Sequence, residues 1–136
     1  MNSKTPYHVF QVQSSRRETA NVNTLVFNRP MEWAEPGQFV MVWLPQIGEK
    51  PFCVADSDPL SVTVSSVGDF SRALHALSVG ERAWVRGPYG RGFSPSGGRH
   101  LLVGGGYGAA PLLFLAKNIL RRKQEVMAVS YTHLRA

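Results

Sequence analysis

Three stretches of this chain combine residue types that suit an anionic, flat ligand. In Gly104-Gly-Gly-Tyr-Gly-Ala-Ala-Pro111 the glycines allow close approach of a backbone to a pyrophosphate. A helix beginning there would add free N–H groups and the positive end of its dipole. Gly104, Gly106 and Ala109 satisfy the G-x-G-x-x-A spacing, although a tight turn made only for packing would use the same residues. In Gly48-Glu-Lys-Pro-Phe-Cys-Val-Ala55 a cation, Lys50, precedes an aromatic wall, Phe52, and a polarisable thiol, Cys53. A cation for phosphate beside a flat apolar surface suits a nucleotide or a flavin. An edge-strand lysine next to a core phenylalanine would read the same way. Gly68-Asp-Phe-Ser-Arg-Ala-Leu74 is the third stretch, with Ser71 placed to cap a helix whose first N–H groups could receive an anion. Ordinary capping is the better explanation of this stretch taken alone.

Other chemistries lack their residues. His8, His75, His100 and His133 are scattered without metal-ligand spacing, and no Ser/His/Asp or Cys/His arrangement can be assembled. With Cys53 as its one cysteine, the chain can hold neither an internal disulfide nor a cysteine-rich metal site.

The elements that must position these stretches fall into two groups. Short apolar runs alternate with turn residues over the first two thirds, as in an antiparallel β domain. The expected strands are Tyr7 to Val12, Val22 to Phe27, Gln38 to Leu44, Pro51 to Ala55, Leu60 to Val67 and Glu81 to Arg86. Glu35-Pro-Gly37 makes a turn with Gly in its left-handed position. Phe70, Ala73, Leu74 and Leu77 recur at helical spacing. Six short strands with one helix predict a small closed antiparallel barrel, because closure removes exposed strand edges. Gly87 to Gly98 is dense in Gly, Pro and Ser and reads as a boundary loop. Beyond it, Leu101-Leu-Val103 is a buried strand, Ala109 to Arg122 a helix that tolerates Pro111 in its first turn, and Gln124 to Val129 a further strand. The expected units are thus residues 1–98, a barrel, and 99–128, the start of an α/β domain.

Composition sets outer limits. The 136 residues suffice for a real core, and 43% hydrophobic with 18% charged residues exclude a disordered chain. The net charge of +6 is dispersed, with only Arg16-Arg17 and Arg121-Arg122-Lys123 as clusters, so nucleic-acid binding is not expected from it. No apolar run has the length of a membrane span, and the start Met1-Asn-Ser-Lys-Thr-Pro6 lacks a signal-peptide core. The expected setting is the cytoplasm, with no membrane partner.

Taken in order, Lys50-Pro-Phe-Cys53, Gly68-Asp-Phe-Ser71, Gly87-Pro-Tyr-Gly-Arg-Gly-Phe93 and Gly104-Gly-Gly-Tyr-Gly-Ala-Ala-Pro-Leu112 resemble the ferredoxin–NADP reductase superfamily. Within it, the chain is most similar to the electron-transfer subunits of type B dihydroorotate dehydrogenases, over Tyr7 to Ala128. The resemblance implies an FAD-binding barrel followed by an NAD-binding α/β domain. It implies that Lys50, Pro51, Phe52 and Cys53 line the flavin, and that Val64, Ser65 and Ser66 run along it and its ribityl chain. Phe70 and Ser71 would receive the FAD pyrophosphate; Gly104, Gly105, Gly106, Gly108, Ala109 and Pro111 would hold that of NAD(H). The implied activity passes electrons from NADH through FAD and a [2Fe–2S] centre to a dihydroorotate dehydrogenase catalytic subunit in pyrimidine biosynthesis. No side chain is implied as a proton donor. Three positions depart from the pattern: Lys50 stands for an arginine, Cys53 for a serine and Phe70 for a glycine, the last expected to narrow the pyrophosphate site.

The four cysteines that ligate the cluster in that family are absent, so [2Fe–2S] is expected only in a full-length protein. Val129-Ser-Tyr-Thr-His-Leu-Arg-Ala136 matches the translation of a transposon-end sequencing adapter and fits no strand continuation. On this reading the chain is a truncated fragment with a foreign tail, inactive alone and able at most to bind FAD. Two alternatives stay open: another ferredoxin reductase-like subunit, of hydrogenase or ferredoxin–NADP reductase type, and a non-enzymatic basic β-barrel binding module.

Overall fold

The computed structural model describes residues 6–105 and 109–131. Six strands, β1 (His8–Arg17), β2 (Val22–Phe27), β3 (Phe39–Leu44), β4 (Gly48–Ser57), β5 (Leu60–Ser65) and β6 (Arg82–Tyr89), close an antiparallel barrel in the order β1-β2-β5-β4-β3-β6. The period-two alternation drives closure: Val40, Val42 and Leu44 of β3, Leu60, Val62 and Val64 of β5, and Ala83 and Val85 of β6 are all buried. Phe10, Leu25 and Phe27 complete the packing of the interior. Helix α1 (Asp69–His75) follows β5 and inserts Phe70 and Leu74 into the same core. The expected Gly37 turn has φ +99°, and Phe93 lies against that glycine where a Cβ would stand at 3.0 Å.

Several strands run further than their hydrophobic patterns indicated. The polar Ser14–Arg17 stretch continues β1 past a bulge, because backbone pairing with β2 does not require apolar side chains. Likewise β4 extends from Gly48 to Ser57, and β6 takes Gly87, Pro88 and Tyr89 out of the expected boundary loop.

The remaining elements are β7 (Arg99–Gly105), α2 (Ala109–Arg121) and β8 (Glu125–Tyr131), with β7 and β8 parallel and α2 as their crossover. The strand β8 carries Val129, Ser130 and Tyr131 into the ladder opposite Val103, Gly104 and Gly105. The segment expected to break from the strand at Val129 therefore continues it, since a parallel ladder needs only backbone groups in register; residues 132–136 lie outside the described ones. Helix α2 rests on the barrel as well as on its own strands. Phe114 joins the barrel core, and Lys117 Nζ donates to Asp56 Oδ2 of β4 at 2.6 Å.

Candidate functional site

The feature that makes a site is that β4, which lies between β3 and β5, pairs with β5 along only part of its length. Residues 48–53 pair with β3, whereas Val54, Asp56 and Ser57 pair with β5. On the other strand, Leu60 to Val62 meet β4, while Thr63 to Ser65 pair with β2 alone. The two strands therefore separate, each with a free edge toward the gap. A proline at position 51 suits such an edge because it has no N–H to donate.

A cleft of about 760 Å³ opens between those edges, within the size range of small-molecule and cofactor sites. Lys50, Pro51, Phe52 and Cys53 line one side, Thr63 and Ser65 the other, and Val67 to Ser71 at the start of α1 close one end. Pro111 reaches it from α2. A cation, an aromatic ring, a thiol and two hydroxyls thus surround one elongated space.

Each sequence-derived residue can now be placed. Lys50, Pro51, Phe52, Cys53, Ser65, Phe70, Ser71 and Pro111 share the cleft. Pro111, expected with the glycine turn, therefore stands beside the β4 stretch. Val64 is fully buried, so the side chains offered by that stretch of β5 are those of Thr63 and Ser65, one residue either side. Ser66 is not among the lining residues; its N–H donates to the Asn21 carbonyl at 2.8 Å. Gly104 and Gly105 end β7, and the backbone of Ala109 begins α2, but Gly106 and Gly108 fall outside the described residues.

The start of α1 differs from expectation in its N-cap position. Gly68, not Ser71, is the N-cap residue. Ser71 caps from position N3: its Oγ accepts from the Val67 and Gly68 N–H groups at 2.9 and 3.0 Å and donates to the Gly68 carbonyl. Phe70, expected to narrow the pyrophosphate site, lines the cleft at the start of α1. The residue is 8% exposed and its ring stacks on Phe52, another cleft residue, with centroids 5.9 Å apart, so it reaches the cleft from the edge of the core. Thr63, Ile47 and Val67 were missed as lining residues; for Thr63 the signal was available, as the outward neighbour of Ser65 at spacing two.

Around the barrel from the cleft, a charged cluster bridges β6 and β4. Arg86 Nη2 donates to Glu49 Oε1 at 2.6 Å and its Nε to Oε2 at 3.1 Å, a bidentate pair. Tyr7 Oη also binds Glu49. The Arg86 hydrogen bonds, helped by Tyr7, hold the Glu49 carboxyl below its ordinary range despite partial burial.

No family model matches the chain. Among curated proteins, it is 44% identical over 111 residues to a probable dihydroorotate dehydrogenase B (NAD(+)), electron transfer subunit, of Thermococcus kodakarensis, covering 82% of this chain and 46% of that protein. It is 39% identical over 134 residues to the protein of the same description in Methanothermobacter thermautotrophicus, covering 95% of this chain and 50% of the relative. The chain spans about half the length of the curated relatives it matches. Among solved structures, an NADH-dependent reduced ferredoxin-NADP oxidoreductase described for flavin-based electron bifurcation superposes with a TM-score of 0.81 at 28% identity, over 90% of this chain and 48% of that one. Phthalate dioxygenase reductase shares the fold, with a TM-score of 0.76 at 18% identity over 92% of this chain and 43% of its own.

Proposed function

The chain belongs to the family of dihydroorotate dehydrogenase B electron transfer subunits, and from that premise we propose that it is the flavin-binding part of such a subunit. The observation that carries this reading is the splaying of β4 from β5. It brings Lys50, Phe52, Cys53, Thr63 and Ser65 around one cleft although they lie on strands that pair elsewhere.

The residues present fit FAD. Lys50 supplies a positive charge for a phosphate, as a point charge rather than a guanidinium fork. Phe52, braced by Phe70, offers a flat wall, and Cys53, Thr63 and Ser65 offer edge groups for a polar ring system. The N–H groups of Asp69, Phe70 and Ser71 open α1 at the end of the cleft. When bound, FAD supplies the interconversion of a hydride pair and single electrons. The protein's part is to neutralise the phosphates, fix the ring against the splayed strands and keep one edge open.

NADH is the proposed donor, its pyrophosphate held where β7 ends and α2 begins, at Gly104, Gly105, Ala109 and Pro111 together with Gly106 and Gly108. A dihydroorotate dehydrogenase catalytic subunit in the cytoplasm is the proposed acceptor. A [2Fe–2S] cluster does not fit this sequence, whose one cysteine, Cys53, lines the cleft; its ligands would have to come from residues outside these 136.

Titration of the purified chain with FAD, followed by quenching of flavin fluorescence, tests the reading. The expected result is saturable binding that Lys50→Ala weakens about tenfold and Lys50→Arg preserves, as for the loss and retention of one charge-assisted phosphate contact. A chain that leaves FAD fluorescence unchanged would overturn it.

A further inference from the structure

The outer wall of the barrel beside the cleft is unusual for a solvated surface. Alternation turns Val9 of β1, Trp84 of β6 and Trp43 of β3 to one side, and their registers set them in a row: Val9 opposite Trp84, and Trp84 opposite Trp43. The two indoles meet edge to face with centroids 5.5 Å apart, and Tyr7 lies 5.5 Å from Trp43. Tyr7 and Val9 remain 40% and 43% exposed. Trp, Tyr and Arg are the residues that dominate the binding energy of protein interfaces.

Charge at this wall is one-sided. Arg82 adjoins the row and is exposed, Arg29 is anchored by two hydrogen bonds to the Val9 carbonyl, and Arg86 is paired with Glu49. Among the described residues neither Arg82 nor Arg29 makes an ion pair. The wall also runs into the cleft. Pro51, which lines the cleft, pairs with Met41, and Met41 pairs with Arg86. With strands about 4.8 Å apart, the Trp84 strand lies roughly 10 Å from the one that carries Lys50 and Cys53.

We infer that this wall is the docking surface for the catalytic subunit, whose matching face carries carboxylates around an apolar centre. The inference rests on the proposed reading of the chain as part of an electron-transfer subunit. A partner seated here stands next to the cofactor cleft, which a partner on the far side of the barrel would not. The guanidiniums steer an acidic surface onto the wall, and the aromatic row supplies the buried contact.

The test mixes the 136-residue chain with a recombinant dihydroorotate dehydrogenase B catalytic subunit and measures the Kd calorimetrically, with FAD titrated in parallel. Val9→Asp and Arg82→Glu change exposed side chains. Each is expected to raise the Kd at least about tenfold while FAD affinity stays within about twofold. Hydrogen exchange on the wild-type complex should show protection of residues 7–11 and 82–86. Unchanged Kd in both variants, protection confined to other elements, or no complex from a chain that saturates with FAD would each overturn the docking surface. Arg82-dependent binding of an RNA oligonucleotide without subunit binding would overturn it too. Failure of FAD binding alongside a wall-dependent complex would sink the flavin reading and uphold this one.

Discussion

At the scale of single residues, Glu49 shows how a strand position missed by motif reading acquires a role. Its side chain is 21% exposed and that of Arg86 15%, so their ion pair is screened far less than a surface pair. Because Arg86 lowers the Glu49 carboxyl from its ordinary 4.5, the pair stabilises the folded state above that pH. The contribution is then lost as pH falls through the lower folded value. Glu49→Gln should lower stability at pH 7 and should flatten the acid limb below pH 4.5. Urea unfolding across pH 3 to 7 measures both; parallel acid limbs would disprove the assignment. Lys50, Phe52 and Cys53 were legible as candidates through the ordered set of motifs, since residue type alone also fits an edge-strand lysine beside a core phenylalanine. Glu49 was not, since its partner lies 37 residues away on β6.

At the scale of elements, α1 shows what periodicity can and cannot reveal. Phe70, Ala73, Leu74 and Leu77 marked the helix and its buried face, and the structure puts Phe70 and Leu74 in the barrel core. The pattern could not say that Phe70 stacks on Phe52 at the cleft wall, because stacking depends on a strand already in place. Leu74 is fully buried, so Leu74→Ala should cost roughly 2–5 kcal/mol. It should also weaken FAD binding, since α1 closes one end of the cleft. Thermal unfolding followed by flavin titration at low temperature separates the two effects. Full stability in this variant would mean that α1 is not part of the core. Strand ends were less legible than strand centres, because β1 and β4 continue through polar or proline-containing stretches held by backbone pairing.

At the scale of the whole molecule, the barrel and the β7-α2-β8 unit share a boundary through Phe114 and the Lys117–Asp56 pair. The β7 and β8 strands keep an apolar face, with Leu101 64%, Val103 55%, Met127 66% and Val129 46% exposed. Parallel sheets are ordinarily covered on both faces. The 136-residue chain should therefore self-associate through this face, and Leu101→Lys should reduce the association seen by light scattering without altering FAD affinity. Equal association in both proteins would refute this. By itself the sequence determined the closed barrel, the strand-turn-helix that follows it and a set of residue types suited to an anionic, flat ligand. These depend on alternation, turn chemistry and local spacing, which a linear reading contains. Only the tertiary structure decided where the site opens, because the cleft arises where β4 parts from β5 while still paired with β3. Pairing between distant strands is set by packing of the whole barrel, and no single stretch of the chain encodes it.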